Sequence, residues 1–301
     1  MPLLIKISEG KNGVQMVDWK PPAGDSFNVI RPSMVSIAAE KNKEIHLQNP
    51  SFQPGVNYIK LYHDGYVREM LVELPNNYSP DIKYPVIFGF HGSSGKMDVY
   101  SNRFLKPFVN SYEIITVTPQ GISNSVGQTG WNGFPNHSIS NTDDVGFVQK
   151  TLRYLENKLS IDTKKVYATG FSSGGIFCHR LALESDIFAA IAPVAGSLST
   201  RLPVPKNRPR ISILQINGEN DPQYKGGVQH RGEAFHSAEK AMELWTKNHQ
   251  RSVTKKILSD KRSIKITKYS SDNSNYEILS YLIKGEGHRI SDNHISPFCR
   301  Y

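Results

Sequence analysis

The pentapeptide Gly170-Phe171-Ser172-Ser173-Gly174 fits G-x-S-x-G. In that pattern a strand turns sharply into a helix and leaves the central serine hydroxyl exposed. Glycines flank the serine because side chains there would collide with neighbouring backbone. A serine hydroxyl is a poor nucleophile until a base takes its proton, so a histidine and an acid to orient it should accompany Ser172. On a strand–helix scaffold they follow the serine in the order acid, then histidine. Asp221 lies in Asn217-Gly218-Glu219-Asn220-Asp221-Pro222 and His288 in Gly285-Glu286-Gly287-His288. The chemistry this supports is attack on a carbonyl, with Ser172 as nucleophile, His288 as general base and Asp221 orienting the base. Glu219 competes with Asp221, and His294 with His288. His91 and His179 precede the acid, His179 in a helical run, and together with His230 they read as structural or exposed.

Such a reaction passes through a tetrahedral intermediate whose negative charge needs hydrogen-bond donors placed in advance. The N–H of Ser173, immediately after the nucleophile, is the first expected donor. The second is expected from the loop after Phe90, at Ser93, with Gly92 as the alternative; His91-Gly92 then serves to turn the chain.

G-x-S-x-G alone is short enough to occur by chance in a loop joining two elements, so its setting matters. It sits where a strand from Val166 ends and a helix from Ser173 to about Glu184 begins. Upstream, Val56–Leu61 and Tyr66–Leu74 flank His63-Asp64-Gly65, and Asp-Gly between two strand-like runs signals a hairpin. Pro85–Phe90 and Glu113–Thr118 are further short apolar runs. A helix capped by Asn141 or Thr142 should follow, with Asp143 and Asp144 in its first turn and Val145, Val148, Leu152, Leu155 and Leu159 on one face. Strands at Ala189–Val194 and Ile211–Ile216, a helix over Glu233–Asn248 and strands at Ile264–Tyr269 and Tyr276–Ile283 complete the series. This alternation predicts an α/β fold with a mostly parallel sheet covered on both faces. Asp221 and His288 then lie on loops at carboxyl ends of strands, where open sheets of this class place their sites. Residues 1–54 pattern weakly and are expected to form an N-terminal extension, with a catalytic domain over 55–301.

The chain has 301 residues, of which 38% are hydrophobic. No run approaches the roughly 20 apolar residues of a membrane span. A net charge of +9 invites a polyanion reading, yet the basic residues are scattered, and Lys261–Lys268 alternates with Ile264 and Ile266 like the wet face of a strand. Nucleic-acid and membrane partners are therefore not expected. Metal-ligand spacings are absent, and Cys178 sits in an apolar helical run as a packed thiol. Gly95-Lys96 resembles the end of a phosphate loop, but Phe90 stands where its first glycine belongs and Met97 where Ser or Thr belongs. The start, MPLLIKISEG, lacks the long apolar core of a secretory signal. That fits a cytoplasmic protein, or an extracellular or periplasmic one in signal-cleaved form.

Several motifs fall in a common order: His91-Gly92, Trp131-Asn132-Gly133, Asp143-Asp144-Val145-Gly146-Phe147, Gly170–Gly175, Ala192-Pro193-Val194-Ala195-Gly196 and Gly285–His288. Over about residues 56–290 the chain resembles the polyhydroxybutyrate-depolymerase and feruloyl-esterase branch of the α/β-hydrolases. The resemblance implies a carboxylic-ester hydrolase without metal or cofactor, often secreted and often acting on polymers, and assigns Ser172, Asp221 and His288 the roles derived above. It implies that Trp131 sits near the mouth of the site; the competing reading is a tryptophan packing a long loop. Trp131, His91 and Tyr224 are the expected substrate contacts, and Asp144 a helix-start residue. Departures lie around the pockets: Asn217-Gly218 replaces a common His-Gly, Arg289-Ile290-Ser291 replaces a common Trp-Pro, and the extra cysteines of secreted members are missing. The expected substrate is a feruloyl or acetyl ester of a polysaccharide, or a related small aryl ester, with a poly(3-hydroxybutyrate)-type polyester as the alternative. A serine peptidase and a catalytically silent binding protein are the other classes this fold admits.

Overall fold

A computed structural model describes residues 51–135, 141–205, 211–228, 232–247, 253–270 and 276–289. All but the last four residues of the expected N-terminal extension, together with His230, His294 and Cys299, lie outside the described residues.

The chain opens with a hairpin, β1 (Gly55–His63) and β2 (Tyr66–Leu74), closed by a two-residue turn with Asp64 at φ 49° and Gly65 at φ 80°. Two left-handed residues in succession make the type I′ turn that the Asp-Gly pair predicts. There follow β3 (Tyr84–Phe90), α1 (Met97–Phe104), α2 (Lys106–Tyr112), β4 (Ile115–Pro119) and a small ribbon, β5 (Ile122–Ser123) with β6 (Thr129–Gly130). Next come α3 (Asp144–Glu156), β7 (Ile161–Phe171), α4 (Ser173–Glu184), β8 (Ala190–Val194), β9 (Ser212–Gly218) and the single turn α5 (Pro222–Lys225). A second ribbon, β10 (Gly227–Val228) with β11 (Ala234–Phe235), leads to α6 (Ala238–Lys247), β12 (Thr254–Asp260), β13 (Ile264–Ser270) and β14 (Ile278–Ile283).

The main sheet has 10 strands in the order β1-β2-β4-β3-β7-β8-β9-β14-β13-β12. The run from β4 to β14 is parallel, and antiparallel strands close both edges. Central strands are therefore apolar on both faces. Val86, Phe88 and Phe90 of β3 and Val166 and Ala168 of β7 are buried with Phe177, Leu181 and Ala182 of α4. Each of these valine, leucine and phenylalanine side chains contributes about 1.5–3 kcal/mol by leaving water. The carboxyl ends of β3, β7, β8, β9 and β14 share one edge of the sheet, which fixes where the loops after them must meet.

Several local expectations change. The cap of α3 is Asp143, whose Oδ1 accepts the Gly146 N–H at 2.9 Å. Thr142 is not free to cap because its hydroxyl donates to Asp144 Oδ1. Helix α6 starts at Ala238, not Glu233, because Ala234–Phe235 is taken up by the second ribbon. Helices α1 and α2 and strand β12 were not foreseen. β12 carries Lys255 and Lys256 on an exposed sheet edge, so it shows no apolar alternation. Cys178 is a free, buried thiol, and burial pushes its pKa up. Among the described residues no helix is long and apolar enough to cross a membrane.

Candidate active site

Strand β7 delivers Ser172 to the carboxyl edge and α4 starts immediately after it. Ser172 has φ 53° and ψ −114°, a conformation that costs a non-glycine residue free energy and persists only where surroundings enforce it. The enforcement is visible. Ser172 N–H donates to Val194 O at 2.9 Å, and its carbonyl accepts the Ile176 N–H at 2.9 Å. A side chain at Gly174 would place Cβ 2.1 Å from Phe90 O, and one at Gly170 would place it 2.5 Å from the Gly174 carbonyl carbon. The glycines are thus demanded by close approach of β3 and the elbow.

His288 Nε2 lies 2.9 Å from Ser172 Oγ, and His288 Nδ1 lies 2.9 Å from Asp221 Oδ1. If Nε2 accepts the serine proton, Nδ1 carries its own and donates it to Asp221. Asp221 is fully buried, whereas the His288 side chain is 37% exposed, so the imidazole can be reached from solvent. Asp221 Oδ1 also accepts the Gln223 N–H at 2.8 Å, as N-cap of α5. Among the described residues Asp221 Oδ2 has no hydrogen-bond partner. Glu219, the competing acid, is turned elsewhere: it accepts the Gly285 N–H at 2.9 Å and so ties the acid loop to the histidine loop. The Asn220 N–H to Glu286 O bond at 2.7 Å makes a second tie.

Ser173 is buried at the start of α4, and its hydroxyl accepts the Trp131 N–H at 3.4 Å. Ser93 is exposed on the loop after β3. Gly92 of the same loop abuts the elbow, since a Cβ there would lie 2.9 Å from the Phe171 ring. The loop from which the second donor was expected therefore lies against the residue preceding Ser172.

Trp131 and His91 do not line an opening. The Trp131 indole is fully buried, stacked on Phe177 at 5.4 Å and edge-on to Phe90 at 5.1 Å. His91 is 1% exposed. Neither can touch substrate from beneath the elbow, so the expectation of contact is corrected for both, and Trp131 packs a loop. Tyr224 is half-buried in α5, three residues after Asp221, and its hydroxyl pKa is raised by burial and by Glu239 and Glu219.

A family model described as "Putative esterase" matches residues 65–280. The chain belongs to this esterase family. Probable feruloyl esterase C of Aspergillus niger is 30% identical over 191 residues, covering 60% of this chain and 64% of that relative. Feruloyl esterase C of Emericella nidulans is 31% identical over 186 residues, covering 60% and 63%. The matched segment spans less than two thirds of either relative. Among solved structures, the acetyl xylan esterase from Aspergillus awamori superposes with a TM-score of 0.57 at 14% identity, covering 78% of this chain and 94% of that one. LpqC, a poly(3-hydroxybutyrate) depolymerase from Bordetella parapertussis, gives 0.52 at 16% identity, covering 78% and 86%. These likenesses carry the fold, which is that of the α/β-hydrolase esterases.

Three residues around the site of this family member went unseen in the sequence. Arg68 is buried with its guanidinium 2.6 Å from Asp144, an arginine inside an apparently ordinary strand. Gln120, one residue past β4, has its amide N 3.0 Å from His91 Nε2. Phe171, partly buried, sets its ring 5.2 Å from that of His288. Only Phe171 had a signal, as the variable residue before the nucleophile.

Proposed function

We propose that this protein is a serine carboxylic-ester hydrolase working through an acyl-enzyme. The observation that carries the reading is the unbroken line Ser172 Oγ, His288 Nε2, His288 Nδ1, Asp221 Oδ1, with both contacts at 2.9 Å. Ser172 attacks the ester carbonyl carbon as His288 takes its proton, and the carbonyl oxygen becomes an oxyanion facing the N–H of Ser173 and that of Ser93. The intermediate collapses as His288 returns the proton to the leaving alcohol, giving the acyl-enzyme. Water, activated by His288, then attacks the acyl carbon and releases Ser172. Buried Asp221 faces the imidazolium that forms in each half-reaction, and fixes the tautomer.

The substrate class is a feruloyl or acetyl ester on a polysaccharide or a small aryl analogue. The names of the relatives, feruloyl esterase and acetyl xylan esterase, support it. The test is hydrolysis of p-nitrophenyl acetate, methyl ferulate, a poly(3-hydroxybutyrate) film and a p-nitroanilide peptide by wild type and Ser172→Ala. Ester hydrolysis abolished by Ser172→Ala is the expected result. Preference for the film would move the substrate to polyesters, and cleavage of the anilide above the esters would move the reaction to peptides. An inert wild type, or a Ser172→Ala protein with full activity, would overturn the nucleophile assignment.

A further inference from the structure

Beneath the elbow lies a run of buried polar contacts that the chemistry above does not use. Arg68 of β2 and Asp144 of α3 form an ion pair at 2.6 Å with both side chains fully buried. The other Asp144 oxygen, Oδ2, accepts the Asn132 N–H at 2.7 Å. That bond places Trp131, whose Nε1–H donates to His91 O at 2.8 Å. His91 Nδ1 in turn lies 2.7 Å from Gly92 O, and its Nε2 accepts the Gly121 N–H at 3.0 Å. With Nε2 accepting, Nδ1 carries the proton and donates. Gly95 N–H also donates to Gly92 O, at 2.9 Å.

The consequence follows from peptide geometry. In a planar trans peptide the carbonyl and the next residue's N–H point in opposite directions. Holding His91 O in the interior turns the Gly92 N–H away from it. Holding Gly92 O with His91 and Gly95 does the same for the Ser93 N–H, the donor expected to face the oxyanion. We infer that Trp131 and His91 are positioning residues which, through these carbonyls, fix the oxyanion loop for the transition state. The inference rests on the esterase reading above and adds to it how the second donor is held.

A cost points the same way. Arg68 Nε and Nη1 are buried with no hydrogen-bond partner among the described residues, and the guanidinium sits 4.1 Å from the Phe147 ring centroid. A buried ion pair is a poor source of net stability compared with well-packed apolar side chains. Here it instead fixes the backbone at Asn132, and through it the indole that reaches the oxyanion loop.

The experiment compares wild type with Trp131→Phe, which keeps an aromatic ring against Phe177 but removes the N–H donor together with the indole's second ring. Alongside are His91→Leu and His91→Asn, the latter retaining an amide N–H near the place of Nδ1. The readouts are kcat and KM on p-nitrophenyl acetate, the unfolding midpoint, and the inhibition constant of phenylboronic acid. With that probe Ser172 Oγ adds to boron, its proton passes to His288, and a boron-bound oxygen takes the oxyanion position. Displacing a preorganised donor by a fraction of an ångström should lower kcat about 10- to 100-fold. Trp131→Phe and His91→Leu are expected to show that loss with KM changed less than about twofold, with the boronate constant raised by the same factor as kcat falls. His91→Asn is expected to recover most of both. If Trp131→Phe does not fold, the His91 pair carries the test. A folded Trp131→Phe with wild-type kcat, or a lowered kcat with boronate affinity unchanged, overturns the inference while an active wild type leaves the esterase reading standing. A wild type inert on esters and unlabelled at Ser172 by a fluorophosphonate overturns the esterase reading, and the inference falls with it.

Discussion

On one side of Ser172 the loop after β3 is held from the buried interior: Trp131 and His91 grip the carbonyls of residues 91 and 92, and an Arg68–Asp144 pair stands behind them. On the other side the His288 side chain is 37% exposed, and its ring is oriented by Asp221, one of whose oxygens has no hydrogen-bond partner among the described residues. The difference follows from what each side must do. A donor to a developing charge acts only if it is already in place, so its loop is over-determined. A base must take a proton, hand it on and admit water, so it is reached from solvent and steered by one strong contact. Rigidity is concentrated where the reacting atoms meet fixed dipoles, and access where they meet a titrating group.

If that contrast holds, damage on the two sides should separate into different observables. The largest effect belongs to the base side. Asp221→Asn removes the carboxylate charge and lets an amide NH2 compete for His288 Nδ1, so the Nδ1–H tautomer is no longer enforced, and kcat on p-nitrophenyl acetate should fall about 10⁴-fold. The urea midpoint should move little. A residual activity above about a tenth of wild type would show that His288 is oriented by something other than Asp221.

The oxyanion side should fail in stability first. Arg68→Met leaves Asp144 buried without its cation, which typically costs about 3–5 kcal/mol. Urea unfolding should show that loss, and Arg68→Met combined with Asp144→Asn should regain a large part of it, since Asn keeps an acceptor for the Asn132 N–H. An Arg68→Met protein as stable as wild type would mean that the pair does not brace the Trp131 loop.

The sequence made one side far more legible than the other. Ser172, Asp221 and His288 are marked by chemistry with fixed chain order and by glycines that close approach demands, so spacing alone brought them to one edge of the sheet. The central strands were legible because they are apolar on both faces. Arg68 was not, because an arginine in a strand reads as outward-facing unless its partner 76 residues away is known. Trp131 and His91 were found but misplaced. An aromatic or imidazole near a site suggests contact with ligand, whereas here each donates a hydrogen bond to a carbonyl that must be held. β12 was missed because an exposed edge strand with adjacent lysines carries no periodic apolar signal.

A pH series sharpens the comparison further. Burial holds the His91 pKa below the usual histidine range, outweighing the bond to Gly92 O and the attraction of Asp144, which push it up. The folded protein therefore resists protonating His91 while the unfolded chain does so near pH 6.5. Stability should be fully present above that pH and decline as pH falls toward the folded value. One proton taken up by the unfolded state alone makes the slope about 1.4 kcal/mol per pH unit. Urea unfolding of wild type and His91→Asn between pH 7.5 and 5 (about the range in which histidine titrates) should show a shallower decline in the variant. Equal slopes would mean that His91 takes up a proton as readily in the folded protein as in the unfolded chain, and its Nε2 would then not serve as the acceptor for the Gly121 N–H.

The smallest effect lies farthest from the chemistry, where the β1–β2 turn docks on α3. Asp143 caps α3 through Gly146, meets His63 Nε2 at 3.0 Å, and donates its own N–H to Asp64 Oδ2 at 3.2 Å. Its neighbour Asp144 takes the buried role, so two adjacent aspartates divide cap and brace between them. Desolvation alone would raise the Asp143 pKa, but the Gly146 N–H and His63 outweigh it and hold the carboxyl below its usual range. Its contribution is therefore present above about pH 4 and lost as pH falls through the lower, folded value. Asp143→Ala should cost about 1 kcal/mol at neutral pH, the usual worth of an N-cap, with the difference from wild type shrinking in acid. Because the Asp144–Asn132 bond does not pass through the Asp143 side chain, kcat should stay within about twofold of wild type, the range expected when no interaction of the transition state is touched. A tenfold fall in kcat with little loss of stability would show that the hairpin turn itself helps to set the oxyanion loop, and the brace would then begin at the protein surface.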